Sequence, residues 1–214
     1  MTRLLIVRHG QSEANKNCIF AGHTDAPLSE LGCAQAARTA EYIADTYTVD
    51  KVYASDLKRA YFTGKAIADR LGLEIGTHHK LREIYAGDWE GRSFDELARE
   101  YPEEYGLWCR DIGLARCTGG ESLSEVQQRA LFIVRNLVFD NEGKTIVIAT
   151  HATFVRSLQC YAMGVPLSEM KNVPYVSNAS VTVIDVDKRG IFTLVEAGHD
   201  MHLNDLKTSL PANV

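Results

Sequence analysis

Arginine and histidine recur at the ends of short apolar runs in this 214-residue chain, and that placement is the first sign of chemistry. Arg8 and His9 close the run Leu4 to Val7, His151 follows the run Lys144 to Ala149, and Arg59 comes soon after Lys51 to Ala54. Planar guanidinium groups offer paired donors that suit phosphate oxygens, so two arginines beside two histidines point to a phosphoryl group rather than a neutral ligand. Any one of these residues alone reads as a surface or structural side chain; the grouping carries the signal.

The elements that must position them follow from periodicity. Arg3 to Val7 is branched and apolar without alternation, which predicts a buried strand with the Arg-His-Gly triplet at its carboxyl end. Ser29 is a plausible N-cap for a helix to about Tyr47, since Cys33, Ala36, Ala37, Ala40, Ile43 and Ala44 recur at helical spacing. A second strand is expected over Lys51 to Ala54, and Ser55 and Asp56 are expected to start the helix that carries Arg59. Leu73 to Lys80 is expected as a third strand, and Ser93 to Arg110 as a helical insertion with Pro102 at a helix start. Ser122 and Glu125 form a capping-box pattern before a long amphipathic helix. Lys144 to Ala149 predicts another strand, followed by a helix to about Met163 and two late strands, Ser180 to Val186 and Ile191 to Glu196. The alternation predicts an α/β fold with a largely parallel sheet. In open sheets of this kind ligands bind outside the carboxyl ends of the strands, so His9 and His151 are expected to face one pocket, with Arg59 on the same side. The tail from Asp205 onward is expected to be loosely ordered.

Along its length the chain resembles the histidine phosphatase superfamily, the phosphoglycerate mutase-like group. The resemblance rests on Leu4-Leu5-Ile6-Val7-Arg8-His9-Gly10-Gln11-Ser12-Glu13-Ala14-Asn15, Gly22-His23-Thr24-Asp25 with Leu28-Ser29, and Ser55-Asp56-Leu57-Lys58-Arg59-Ala60. It continues through Glu83 with Gly87-Asp88-Trp89-Glu90-Gly91, Gly120-Glu121-Ser122 and Thr150-His151. The resemblance implies a three-layer α/β/α fold with a mostly parallel central sheet, spanning 1–214 as a single domain with a small helical cap insertion at about 92–119. It also implies that His9 is the phosphorylated nucleophile, that Arg8, Arg59 and His151 hold phosphoryl oxygens, and that Glu83 donates the proton. Asn15 and Ser12 would be secondary phosphate contacts, and His23 and Thr24 a possible substrate loop. Gln11 and Ala152 stand where relatives often carry glutamate and glycine; neither change removes a catalytic group.

The segment Ile84 to Gly91 resembles the phosphatase branch, including alpha-ribazole and broad-specificity phosphatases. The arginine-containing, proline-rich insertion that holds a second phosphate in cofactor-dependent mutases is missing between Arg92 and Gly119. The expected activity is therefore hydrolysis of a small phosphorylated metabolite, releasing inorganic phosphate, with no metal or cofactor required. A 2,3-bisphosphoglycerate-dependent phosphoglycerate mutase is the alternative, with that bisphosphate as cofactor; a non-catalytic phosphate-binding protein is the second.

Composition sets outer limits. A net charge of -5 argues against a nucleic-acid partner, and no segment is apolar enough to suggest a membrane span. The 5 cysteines are odd in number and scattered, which suits reduced thiols in a cytoplasm. His78 and His79 are expected on opposite faces of a strand, and His199 and His202 to be structural. The sequence does not decide whether the chain forms a homodimer.

Overall fold

The computed structural model describes residues 1–208. Six strands make one sheet in the order β3-β2-β4-β1-β5-β6: β1 (Thr2–Arg8), β2 (Lys51–Ala54), β3 (Ile75–Thr77), β4 (Thr145–Thr150), β5 (Val181–Val186) and β6 (Phe192–His199). The first four in that order run parallel, while β5 is antiparallel to both β1 and β6. Helices α1 (Glu13–Lys16), α2 (Glu30–Thr46), α3 (Lys58–Leu71), α4 (Phe94–Glu100), α5 (Pro102–Arg110), α6 (Leu123–Asp140) and α7 (Ala152–Met163) complete the framework. None of the described helices is long and apolar enough to cross a membrane.

The alternation of side chains along β1 sorts the core into two halves. Leu5 and Val7 pack with Ala40 and Ile43 of α2 and Ile67 of α3. Leu4 and Ile6 pack on the other face with Ala130, Ile133 and Val134 of α6 and Phe154 and Leu158 of α7. Helices thus cover both faces, the three-layer arrangement expected for strands that are apolar on both sides. A third cluster gathers Trp89, Phe20, Leu97, Trp108 and Ile112 beneath α4 and α5. Trp89 is fully buried at its centre, edge-on to Phe20, Tyr105 and Trp108. Trp89→Ala should therefore cost about 3–5 kcal/mol of stability; a denaturant midpoint equal to that of the native chain would contradict this packing role.

Two sequence expectations need correction. The helix carrying Arg59 opens at Lys58 with Leu57 at its N-cap and no side-chain cap, not at Ser55 or Asp56. Both polar side chains are engaged elsewhere: Ser55 Oγ lies 2.9 Å from His151 Nε2, and Asp56 accepts from Arg82 Nε at 2.7 Å. The third strand shrinks from Leu73–Lys80 to Ile75–Thr77, because it pairs only with β2 and a 3-10 turn, His79–Leu81, follows at once. His78 and His79 consequently stack at 4.7 Å instead of facing apart, with His78 Nδ1 accepting from the Lys80 amide. His199 and His202 stack on Tyr42, a packing role. Of the tail expected to be loosely ordered from Asp205 onward, Asp205 and Leu206 instead end a 3-10 helix, Met201–Leu206, whose Leu206 carbonyl accepts from Gln35; residues 209–214 lie outside the described residues.

Candidate active site

Three parallel strands deliver the site. β1 ends at Arg8 and His9, its neighbour β4 ends at Thr150 and His151, and β2 on the far side of β4 ends just before Ser55. The His9 and His151 rings meet edge to face with centroids 5.1 Å apart. Gly10 allows the turn that follows: a Cβ there would lie 2.4 Å from the Gly32 carbonyl oxygen of α2, so only glycine fits between the two elements.

Hydrogen bonds hold both imidazoles, and that of His9 decides its tautomer. His9 Nδ1 lies 2.7 Å from the Gly10 carbonyl, which can only accept, so Nδ1 carries the hydrogen and Nε2 keeps its lone pair. Ser55 Oγ accepts from the Leu57 amide at 3.3 Å and also lies 2.9 Å from His151 Nε2, which it fixes in place. His151 Nδ1 is a buried atom with no partner among the described residues. Burial, followed by the charge of Arg59, holds both histidines well below their usual value of 6.5.

A consequence for stability follows. Above that value both folded and unfolded chains hold neutral imidazoles and the two groups contribute nothing. Below 6.5 the unfolded chain takes up protons that the folded one refuses, so stability falls as pH drops. The expected loss is about 1.4 kcal/mol per pH unit for each histidine. Denaturant unfolding at about pH 7 and about pH 5.5 checks it; equal stabilities would contradict neutral burial of these two rings.

The arginines are fixed through carbonyl groups. Arg8 Nη1 donates to the Val176 carbonyl at 2.7 Å and to Tyr175 Oη at 2.8 Å. Arg59 Nη2 donates to the Gly22 carbonyl and Nη1 to that of Thr24, at 2.7 and 2.8 Å. Burial pushes Arg59 down to about 10, with Glu83, Glu90 and Asp25 opposing, so it is still a cation at neutral pH. Glu83 is half-buried; its Oε1 accepts from the Ile84 amide at 2.9 Å and from the Thr153 hydroxyl at the start of α7. Its backbone carbonyl is held by His23 Nε2 and by Arg129, which also bonds Glu121.

Arg8, His9, Asn15, Arg59, Glu83, Thr153 and Arg156 share one cleft of about 580 Å³, open mouth included, with apolar walls from the Trp89 cluster. Other expected contacts sit elsewhere: His151 is fully buried, meets the His9 ring and is not in the cleft lining. Ser12 is fully buried as the N-cap of α1, accepting from the Asn15 amide, and is not in the cleft lining. His23 and Thr24 stand behind the lining, their amides on the Glu90 carboxylate. Among the described residues no three His, Cys, Asp or Glu side chains gather as a metal-holding group.

The sequence profile described as histidine phosphatase superfamily (branch 1) matches residues 4–198, nearly the whole of the chain. This chain belongs to that superfamily. Among the members it resembles, phosphoserine phosphatase 1 of Hydrogenobacter thermophilus is 32% identical, covering 88% of this chain and 89% of the relative. Phosphoglycerate mutase-like protein 4 of Arabidopsis thaliana is 32% identical over 94% of this chain and 87% of its own. The solved structure of YhfR from Bacillus stearothermophilus superposes with a TM-score of 0.90 at 31% identity, covering 95% of this chain and 100% of that one. In sequence alone Ser55 of this superfamily member reads as a helix starter, and Thr153 and Arg156 carry no signal. The first two belong to quoted or adjoining motifs, but their partners, His151 and Glu83, lie far away in sequence.

Proposed function

We propose that this chain is a phosphatase that hydrolyses small phosphomonoesters through a phosphohistidine on His9, without a metal ion. The observation that carries the reading is the His9 Nδ1 bond to the Gly10 carbonyl, which leaves Nε2 as a lone pair in a cationic cleft. That lone pair attacks phosphorus while the ester P–O bond breaks, and the departing alkoxide takes a proton from the Glu83 carboxyl group. The cationic ring that results keeps its Nδ1 hydrogen on Gly10. Arg8, Arg59 and the His151 ring stabilise charge on the equatorial oxygens, with Asn15 as a secondary contact. In the second half Glu83, now a carboxylate, takes a proton from water; the water oxygen attacks phosphorus, the P–N bond breaks, and inorganic phosphate leaves with His9 neutral again. Thr153 holds the Glu83 carboxyl group for both transfers.

The segment at about 92–119, with α4 and α5, serves as a cap on a single domain, its apolar residues forming the outer wall of the cleft. Similarity to a phosphoserine phosphatase across most of both chains supports hydrolysis, and the scattered, odd-numbered cysteines support a reducing cytoplasm. Phosphorus NMR with chelator present tests the whole reading, using several phosphomonoesters and 3-phosphoglycerate with a trace of 2,3-bisphosphoglycerate. Accumulating inorganic phosphate is the expected result. Rapid exchange between 2- and 3-phosphoglycerate would make the chain a mutase, and phosphate-dependent stabilisation without any turnover would make it a binding protein.

A further inference from the structure

The proton donor of the proposed reaction stands on a stretch of chain with no regular structure of its own. Glu83 lies between two 3-10 turns, His79–Leu81 and Gly87–Trp89, and belongs to neither helix nor strand. Thr153 and the Ile84 amide hold its carboxyl group, but the backbone that carries it must be fixed separately. Most of that fixing comes from one side chain of α6. Arg129 Nη1 donates to the carbonyls of Lys80 and Arg82 at 2.9 and 2.8 Å, and Nη2 donates to that of Glu83 at 3.1 Å. Its remaining hydrogens, on Nε and Nη2, go to Glu121 Oε1 and Oε2 at 3.0 and 2.8 Å. Glu121 in turn accepts from the Tyr85 amide through Oε2 and donates its own amide to the Tyr85 carbonyl, both at 2.8 Å. The pair thus grips the chain on both sides of the proton donor.

This is more than a surface ion pair. The Arg129 and Glu121 side chains are only 15% and 22% exposed, so solvent screens them little. All five N–H groups of the guanidinium are engaged, which leaves none for a ligand, and neither residue lines the cleft. Any effect of Arg129 on the reaction must therefore pass through the residues it holds. Proton transfer asks for a donor within about 2.6–3.2 Å of the receiving atom, and a misplacement of about 1 Å can cost about 10²-fold in rate.

We propose that Arg129, braced by Glu121, is a positioning residue for proton transfer: it sets the backbone of Glu83 so that the carboxyl group reaches the oxygen of the leaving group. This rests on the phosphatase reading, in which Glu83 protonates the departing alkoxide. The competing role for Arg129 is a strap that only stabilises the fold. The two differ in leaving-group dependence: losing a strap affects every ester alike, whereas losing a positioning residue affects an ester according to its need for a proton.

Two esters separate them: glycerol 3-phosphate, whose alkoxide leaves only with a proton, and p-nitrophenyl phosphate, whose phenolate leaves without one. The quantity to compare is kcat/KM, which ends at departure of the alcohol and so excludes the later attack of water. Arg129→Met should lower kcat/KM on glycerol 3-phosphate by about 10–100-fold and on p-nitrophenyl phosphate by less than about threefold, each measured below the melting temperature of the variant. Glu121→Gln removes the charge of the brace but keeps an acceptor for the Tyr85 amide; it should show a smaller loss with the same dependence, and it carries the test if Arg129→Met does not fold. Glu83→Gln should show that dependence more strongly. Adding Arg129→Met to Glu83→Gln should then change the ratio of the two esters by less than about twofold, because the group being positioned is already gone. Equal losses on both esters in Arg129→Met and Glu121→Gln, or full additivity with Glu83→Gln, would overturn the proposal and leave the phosphatase reading standing. If the native chain hydrolyses neither ester, or Glu83→Gln shows no leaving-group dependence, the reading of Glu83 as proton donor falls and takes the proposal with it.

Discussion

His9→Ala should lower kcat by at least about 10⁴-fold on any phosphomonoester the native chain hydrolyses, because covalent catalysis has no substitute nucleophile in the cleft. His151 cannot take over: its Nε2 is turned to Ser55, and the ring is fully buried and outside the cleft lining. The substitution removes one ring that bonds only its neighbour's carbonyl through Nδ1, so the fold should survive. The backbone carbonyl of His9, which holds Asn178 and Ala179, is untouched. The measurement is phosphate release together with trapping of the intermediate: the native chain should yield an acid-labile phosphohistidine and the variant none. A variant that still forms the intermediate would place the nucleophile on another residue.

Arg59→Met carries the second largest effect. Arg59 is fully buried and remains a cation despite the burial that lowers its pKa, so its charge acts across a poorly screened cleft. Removing it should cost about 10²–10³-fold in kcat/KM, or about 3–4 kcal/mol of transition-state stabilisation. The same guanidinium ties down the Gly22 and Thr24 carbonyls, so the variant also loosens the loop behind the cleft. Arg59→Lys separates the two contributions: it keeps the charge but cannot reach both carbonyls in one plane, and should recover only part of the loss. Vanadate inhibition should weaken in parallel. An Arg59→Met enzyme with near-native kcat/KM would show that Arg8 and His151 alone stabilise the transferring group.

The shapes of the elements were legible because they depend on neighbours in sequence. The capping box at Ser122 and Glu125, the N-cap at Ser29 and Pro102 at the first helical turn all appear as expected, each satisfied within three or four residues. Expectation failed where a polar side chain had a distant claimant. Ser55 and Asp56 have the right types to cap α3, yet His151 and Arg82 engage them, and the helix begins later. Ser12, expected beside phosphate, instead caps α1.

The sequence by itself determined which residues could gather at one end of the sheet: strands apolar on both faces, each ending in Arg, His or a following Ser, must open their carboxyl ends on one side of a parallel sheet. Tertiary structure alone decided what those residues can do there. The His151 ring is fixed by Ser55, 96 positions away, and the Glu83 carboxyl group is held by Thr153, 70 positions away. Arg156 reads in sequence as one polar residue on a helix, and only the packing of α7 under the cleft makes it a buried residue of the cleft lining. The physical reason is range: caps and periodicity act over a few residues, whereas hydrogen-bond partners and burial arise from contacts that exist only once the chain has folded.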